Sequence, residues 1–174
     1  PSKVYADYTK AACEDLGLQF QLEICKRLEL EASVEQANQD KDVHSIIIYY
    51  PVFGTGQDTF LKDIISPQKD IEGLGLYWTK LLYQDIRIVD DDPEKKAVLP
   101  CTPLAVTKII ESTPVNSAET GLRLDGKKVT IFNRSEVVGR PLAAMLANDG
   151  AKVYSFDIDG PLLFEQQKIS ETSV

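Results

Sequence analysis

The stretch Val129-Thr130-Ile131-Phe132-Asn133-Arg134-Ser135-Glu136-Val137-Val138-Gly139-Arg140-Pro141 decides the fold of this sequence. It predicts a strand over Lys128–Phe132, a turn, and a helix over 141–148, whose first proline needs no N–H in a first helical turn. Gly150 is predicted to stop the helix, and a second strand follows over 152–156. A strand, a crossover helix and a second strand are typical of a parallel α/β sheet.

The turn in this stretch has features of a nucleotide site. Gly139 would let the backbone approach a ligand closely, and the N-terminus of the helix would offer free N–H groups to a phosphate. Asn133 lies where an early glycine is expected, and asparagine tolerates positive φ next best. The second strand ends in Asp157, where dinucleotide folds bind the adenosine ribose. These residues alone equally allow an ordinary crossover with a surface aspartate.

The remaining chain predicts further alternation of helix and strand, so the fold class is α/β. A domain boundary is predicted near Thr113, which gives domains 1–113 and 114–174 with a cleft between them. The apolar run in 44–51 predicts a strand that is buried on both faces. The other predicted elements are helices over 2–16, 31–39, 58–65 and 103–110, a strand over 19–25, and loops over 90–92 and 112–126.

Composition excludes several classes of function. The 174 residues are 43% hydrophobic with a net charge of −8, and they contain no Lys/Arg-rich run, so nucleic-acid binding is disfavoured. The apolar runs are too short to span a bilayer, so no membrane partner is expected. Three scattered cysteines and one histidine provide no metal site, and such a sparse cysteine count suits a reducing compartment.

Five motifs, in order along the chain, give a family resemblance. Residues 133–141 resemble the Gly-Arg-Ser-x-x-Val-Gly-x-Pro cofactor loop of methylenetetrahydrofolate dehydrogenase/cyclohydrolases. Pro100-Cys101-Thr102-Pro103 is similar to the Pro-Cys-Thr-Pro junction of that family, and Lys69-Asp70-Ile71-Glu72-Gly73 to its Lys-Asp-Val-Asp-Gly. Ile48-Tyr49-Tyr50-Pro51 lies at the position of the family's Val-Gln-Leu-Pro motif. Ser2-x-x-Tyr5 resembles the start of the family's helix with the pattern Ser-x-x-Tyr-x-x-x-Lys.

The resemblance implies a fold and a reaction. The fold would be a catalytic α/β domain plus the start of a Rossmann-like NAD-binding domain. The enzyme would be an oxidoreductase of one-carbon folate metabolism that oxidises methylenetetrahydrofolate to methenyltetrahydrofolate by hydride transfer to NAD. It further implies a cytoplasmic protein, a homodimer when full length, with a place in purine biosynthesis.

The resemblance also assigns residues, each with a plainer alternative. Tyr5 could be a half-buried helix aromatic, Glu72 a solvated loop carboxylate, and Cys101 a small buried thiol without a catalytic part. The implied catalytic residues are Cys101 and Tyr5, and the implied folate-binding residues are Tyr5, Thr9, Tyr49, Pro51 and Glu72. The implied cofactor-binding residues are Thr102, Arg134, Ser135, Gly139, Asp157 and Ile158, and no residue is assigned to a metal.

Departures from the family pattern indicate one branch of it. Thr9 replaces the lysine used in cyclohydrolase chemistry, and Lys10 is rotated about 100° around the helix, so it is no replacement. Tyr49 replaces a glutamine, and Asp157-Ile158 replace the His-Ser pair of NADP users. The sequence therefore resembles the fungal cytosolic, NAD-dependent, monofunctional branch. The alternatives are a bifunctional NADP-dependent enzyme and a catalytically silent nucleotide-binding module.

The motifs also suggest how much of the family pattern is present. We expect the chain to begin at the first catalytic helix of the family and to hold only the first half of its dinucleotide domain. The tail 161–174 contains no family motif. Residues 1–174 alone are therefore expected to turn over little or no substrate.

Overall fold

The computed structural model describes residues 2–114 and 122–166. The chain divides into two compact units, an N-terminal unit Pro1–Lys69 and a C-terminal unit Asp70–Val174. The domain boundary predicted near Thr113 lies inside the C-terminal unit and stays a prediction, because a compact unit and a ligand-binding domain need not coincide. Within the described ranges, no helix has both the length and the apolarity that crossing a membrane requires.

The regular structure described in the N-terminal unit is helical. Helix α1 spans Ser2–Asp15, a short 3-10 helix spans Arg27–Glu29, α2 spans Leu30–Gln39 and α3 spans Gly56–Asp63. The three predicted α-helices are confirmed with ends shifted by no more than two residues. Gly17, with a φ of 71°, ends α1 as predicted.

Both strands predicted in this unit are wrong. Residues 18–26 are irregular, and residues 44–51 make one backbone link, from the Ile46 N–H to the Lys69 carbonyl at 2.8 Å. A strand needs a neighbouring strand to pair its N–H and C=O groups, and no described segment of this unit provides one. The apolar pattern reported burial correctly, since Ile48 packs in a core with Val34, Leu61 and Ile65.

The C-terminal unit contains three helices and five strands among its described residues. They are α4 Leu76–Tyr83, β1 Ile88–Val89, β2 Asp92–Lys96, α5 Cys101–Glu111, β3 Lys128–Phe132, α6 Gly139–Asn148, β4 Lys152–Asp157 and β5 Gly160–Phe164. Helices α5 and α6 and strands β3 and β4 were predicted. Helix α4, the β1–β2 hairpin and β5 were not.

The aspartate run, predicted to be a solvated loop, is the tight turn of the β1–β2 hairpin. Asp90 and Asp91 have φ values of 55° and 54° between the paired residues Val89 and Asp92. Two positive φ values in succession match the twist of a two-residue hairpin, and aspartate tolerates them better than most residues.

The predicted strand–helix–strand unit is confirmed. Strands β3 and β4 pair in parallel from Lys128↔Lys152 to Phe132↔Phe156, and α6 crosses between them. One face of α6 packs in a core with β4, and its other face contacts Leu82 of α4. Strand β5 adds antiparallel to β4, from Asp157↔Gly160 to Val153↔Phe164. The carboxyl ends of β3 and β4 therefore meet at one edge, where parallel sheets bind ligands.

Candidate active site

Two predicted folate-site residues lie together in the N-terminal unit. The rings of Tyr5 and Tyr49 are 5.7 Å apart with an edge-to-face angle of 78°. Tyr5 is 65% exposed on α1, whereas the hydroxyl oxygen of Tyr49 is buried and has no hydrogen-bond partner among the described residues. A buried hydroxyl without a partner is unfavourable, so it points to a polar group that pairs with it.

Thr9 uses its hydroxyl within its own helix. Its Oγ1 donates to the carbonyl of Tyr5 at 3.0 Å, one turn earlier in α1. The neighbouring Lys10 extends toward Glu14, with a separation of 3.7 Å between exposed side chains. The face of α1 that carries Tyr5 therefore presents a neutral hydroxyl one turn on, where the family has an ammonium group.

The loop after Pro51 is held by a carboxylate that the sequence reading missed. The buried Asp58 accepts the N–H groups of Val52, Phe53 and Gly54 at 3.2, 2.8 and 3.0 Å. Burial raises the pKa of Asp58, but these three hydrogen bonds and the charge of Lys62 outweigh it, so the pKa lies below its ordinary value. A signal was present, since Asp58 is the third residue of α3, a position from which an acidic side chain can accept an N–H group that precedes the helix.

Lys69, the first residue of the Lys-Asp-Ile-Glu-Gly motif, also has a structural part that the sequence did not reveal. Its Nζ donates to the carbonyls of Ala37, Asn38 and Asp40 at 2.8, 2.8 and 2.6 Å. A cation at the carboxyl end of a helix such as α2 satisfies its last carbonyls and its dipole.

The next residue of the motif fixes the loop that carries Glu72. The buried Asp70 accepts the N–H groups of Glu72 and Gly73 on one oxygen, at 3.1 and 2.9 Å, and that of Gly75 on the other at 2.9 Å. Glu72 itself is half-buried. The loop is therefore rigid at the position where the resemblance implies a pterin contact.

Cys101 and Thr102 begin α5, and both are exposed. Burial of part of the thiol raises the pKa of Cys101, and the negative charges of Glu72 and Asp70 raise it further. The Cys101 Sγ contacts the Ile71 carbonyl at 3.9 Å. A thiol with a raised pKa stays protonated at neutral pH, which favours a lining role over a nucleophilic one.

In the cofactor loop, residues 133–139, side chains form hydrogen bonds with the N–H groups of the loop itself. Asn133 Oδ1 accepts both the N–H and the Oγ–H of Ser135, at 2.9 and 2.8 Å. Ser135 Oγ in turn accepts the N–H groups of Val138 and Gly139, at 3.2 and 3.4 Å. The expectation that these N–H groups are free is therefore wrong for this structure.

Two further expectations about the loop need correction. Asn133 has no positive φ, so it substitutes for glycine through side-chain hydrogen bonds. A Cβ on Gly139 would lie 2.2 Å from the carbonyl oxygen of Asn133. Gly139 is thus required by close packing within the loop, where the sequence had suggested close approach of a ligand.

The carboxyl edge of β3 and β4 forms an open hollow. It is lined by Phe132, Asn133, Phe156, Asp157 and Ile158, and the two phenylalanine rings stack at 5.4 Å. Asp157 Oδ1 accepts the N–H of Ile158 at 2.8 Å, which leaves Oδ2 available. The structure thus places the predicted Asp157 and Ile158 together beside the loop that contains Ser135.

Two family models match this chain. The catalytic domain of tetrahydrofolate dehydrogenase/cyclohydrolase matches residues 1–72, and the NAD(P)-binding domain of the same family matches residues 100–171. The tail after Gly160, which was expected to lie outside the family pattern, falls largely within the second match, so that expectation was wrong.

NAD-dependent methylenetetrahydrofolate dehydrogenases are among the relatives of this chain. Methylenetetrahydrofolate dehydrogenase [NAD(+)] of Dictyostelium discoideum is 50% identical over 179 residues, and that of Schizosaccharomyces pombe is 49% identical over 159 residues. The matches cover 98% and 90% of this chain but 57% and 50% of the relatives, so the chain spans about half the length of the curated relatives it matches.

A solved structure agrees with these matches. The NAD-dependent 5,10-methylenetetrahydrofolate dehydrogenase of Saccharomyces cerevisiae superposes with a TM-score of 0.84 at 39% identity, over 97% of this chain and 59% of that one. The α/β fold with a catalytic and an NAD(P)-binding domain is thereby confirmed. From its motifs, its fold and these matches, the chain belongs to the tetrahydrofolate dehydrogenase/cyclohydrolase family.

Proposed function

We propose that the protein carrying this chain is an NAD-dependent methylenetetrahydrofolate dehydrogenase of one-carbon folate metabolism without cyclohydrolase activity. The observation that carries the proposal is Asp157, an acidic residue at the carboxyl end of β4 with one carboxylate oxygen available. Relatives whose names specify NAD share 44–50% of their residues with the chain.

The cofactor side of the proposal is supported by the geometry of the hollow. Asp157 Oδ2 would accept the ribose hydroxyls of NAD, and it would repel the 2′-phosphate of NADP. None of the described residues that line the hollow is cationic. The side chain of Ile158, 97% exposed, would add an apolar contact and has no hydrogen-bond donor. The other proposed cofactor residues are Thr102, Arg134, Ser135 and Gly139.

The folate side is supported by the aromatic pair and by the rigid acidic loop. Tyr5 and Tyr49 would contact the planar pterin, and the Tyr49 hydroxyl would gain the partner it lacks. Glu72 would accept hydrogen bonds from the amino and ring N–H groups of the pterin. Thr9 and Pro51 complete the proposed folate contacts, and Cys101 would line the site as a neutral thiol.

The dehydrogenase reaction requires little acid–base catalysis from the protein. The methylene carbon of the substrate is flanked by two nitrogens, whose lone pairs stabilise the cation that remains when hydride leaves. NAD, when bound, supplies the hydride acceptor. The residues of the chain therefore bind, orient and exclude water, which are contributions that rigid side chains can make without titrating.

Cyclohydrolase chemistry places a demand that this site does not meet. Water must add to the methenyl cation and a ring must open, which requires proton transfer and a polarising cation. Thr9 supplies neither, because its hydroxyl proton is given to the Tyr5 carbonyl. Lys10 is turned toward Glu14. The bifunctional NADP-dependent alternative is disfavoured by Thr9 and Asp157 together.

The proposal is tested by the hydrolysis of methenyltetrahydrofolate. Its absorbance decay is followed with and without the natural gene product that carries this chain, and we expect no acceleration above background. The Thr9→Lys variant serves as the informative comparison, because it restores an ammonium group one turn after Tyr5. Rapid hydrolysis by the wild-type protein would contradict the monofunctional assignment.

Three further proposals rest on the family resemblance alone. We propose a homodimer, a cytoplasmic location and a contribution to purine biosynthesis for the natural gene product. Light scattering during size-exclusion chromatography tests the first of these, and a monomeric mass at micromolar concentration would contradict it.

A further inference from the structure

Arg134 ties the cofactor loop to the β4–β5 hairpin. Its Nη2 donates to the carbonyl of Ser155, in β4, at 2.9 Å, and also to the carbonyl of Gly160, the first residue of β5. These acceptors lie 21 and 26 residues further along the chain. The Nε of Arg134 is buried, so the side chain is folded into the protein.

The hairpin that Arg134 holds is the segment that presents Asp157. Ile158 and Asp159 form its two-residue turn, between the paired residues Asp157 and Gly160. Among the described residues, β5 pairs only with β4, and its Leu162 and Leu163 are each 46% exposed. At the far end of the hairpin, Val153 of β4 and Phe164 of β5 pack in the α6 core. The charged hydrogen bond from Arg134 to the Gly160 carbonyl fixes the other end, beside Asp157.

The same contacts change what Arg134 can offer a cofactor. In dinucleotide folds an arginine beside the adenosine ribose accommodates the 2′-phosphate of NADP. Here both hydrogens of Nη2 are directed at backbone carbonyls. A phosphate at the hollow would therefore meet the carboxylate of Asp157 without a compensating cation from this edge of the guanidinium.

From these contacts we infer that Arg134 is a positioning and specificity residue: it braces the β4–β5 hairpin so that Asp157 faces the ribose, and its Nη2 donors are withheld from a 2′-phosphate. The inference rests on the proposed function and deepens it, because it explains the preference for NAD by one side chain that acts through another. Its distinctive consequence is that removing a cation should improve the relative use of the more anionic cofactor.

The first test compares kcat/KM for NAD and NADP in wild type, Arg134→Gln and Arg134→Lys. Displacing the Asp157 carboxylate from about 4 to about 6 Å from a 2′-phosphate weakens their repulsion enough to change the preference by about tenfold. We expect the NAD:NADP ratio to fall by about that factor in Arg134→Gln and by less in Arg134→Lys, which keeps the charge without the planar fork. A ratio that stays the same or rises would overturn the inference, since a direct phosphate ligand would behave in that way.

The second test measures how well Arg134 stabilises the β4–β5 hairpin, and it does not depend on enzyme activity. Amide hydrogen exchange of residues 160–164 should accelerate in Arg134→Gln and remain as in wild type in Arg140→Gln, a matched control whose guanidinium pairs with Glu136. Unchanged exchange in Arg134→Gln would show that Arg134 does not stabilise the β4–β5 hairpin. If the wild-type protein oxidised methylenetetrahydrofolate with neither cofactor, the proposed function and the specificity role would both fall, while the exchange result would still decide the brace.

Discussion

At the scale of single residues, removing the Tyr49 hydroxyl distinguishes a substrate-binding role of this residue from a structural one. It is buried and has no partner among the described residues, so Tyr49→Phe removes no hydrogen bond seen within the protein. We expect an unchanged or slightly higher thermal midpoint, together with a two- to tenfold rise in KM for methylenetetrahydrofolate, about the worth of one neutral hydrogen bond.

The matched control for this prediction is Tyr8→Phe on α1. Tyr8 is 74% exposed, and its hydroxyl has no part in the proposed site. Steady-state kinetics on both variants decide between the roles. A KM as low in Tyr49→Phe as in wild type would show that the hydroxyl does not meet the substrate.

Asp58 makes the stability of the N-terminal unit depend on acid. Its folded-state pKa lies below the ordinary value of 3.8, chiefly because three N–H groups offset the effect of burial. Its contribution is therefore complete well above pH 3.8 and is lost as the pH falls below that value toward the folded-state pKa. Asp58→Asn should lower the free energy of unfolding at pH 7 by about 1–3 kcal/mol and should flatten its acid dependence.

Urea unfolding followed by circular dichroism between pH 7 and pH 3 checks this prediction. Asp7→Asn is the control, because Asp7 is an exposed carboxylate on α1. Equal acid dependence in wild type and Asp58→Asn would contradict the proposed anchoring of the loop after Pro51.

Contacts between side chains were predictable from the sequence only where a motif or local spacing encodes them. The family motifs indicated Tyr5 and Tyr49, which the structure brings into ring contact. Lys69 was missed because it binds carbonyls 29 to 32 residues away, and such a contact leaves no local pattern. Asn133 was misread because its hydrogen bonds depend on the path of the loop, which residue preferences do not specify.

At the scale of elements, the junction between the cofactor loop and α6 depends on Gly139. A Cβ there would lie 2.2 Å from a backbone oxygen of Asn133, so the loop must move away from the helix. Gly139→Ala is therefore expected to raise KM for NAD at least tenfold, because binding contacts lose strength with displacements of about 1 Å.

Gly56→Ala provides the control at the start of another helix, α3. A Cβ at Gly56 meets nothing within 4 Å, so this variant should be neutral or up to about 1 kcal/mol more stable. Cofactor titration by fluorescence, with the thermal midpoint of each variant, makes the comparison. Normal NAD binding by Gly139→Ala would show that the close packing of the loop is dispensable.

Five of the six described α-helices and the β3–α6–β4 unit were predictable because their burial repeats along the sequence. Strands that require a distant partner were not, and residues 44–51 show why: an apolar run reports burial, whereas a strand also needs a paired neighbour. Strand β5 was missed for a related reason. Its Pro161, Leu162 and Leu163 lack the alternation of a half-buried strand, and β5 is held by β4 and by Arg134.

At the scale of the whole molecule, the hollow beside β4 connects the fold to cofactor choice. The parallel pair β3–β4 brings Asp157 beside Asn133, and the hairpin adds Ile158 to the lining of the hollow. The proposed preference for the less anionic dinucleotide therefore rests on Asp157 at the carboxyl end of β4.

The most direct measurement is the initial rate of methenyltetrahydrofolate formation from methylenetetrahydrofolate, with NAD and with NADP at equal concentrations. For the natural gene product that carries this chain we expect oxidation with NAD and a kcat/KM more than tenfold lower with NADP, from close-range repulsion at Asp157. Asp157→Ser should narrow that difference. Absence of turnover with NAD, or equal efficiency with NADP, would contradict the assignment of this protein as an NAD-dependent methylenetetrahydrofolate dehydrogenase.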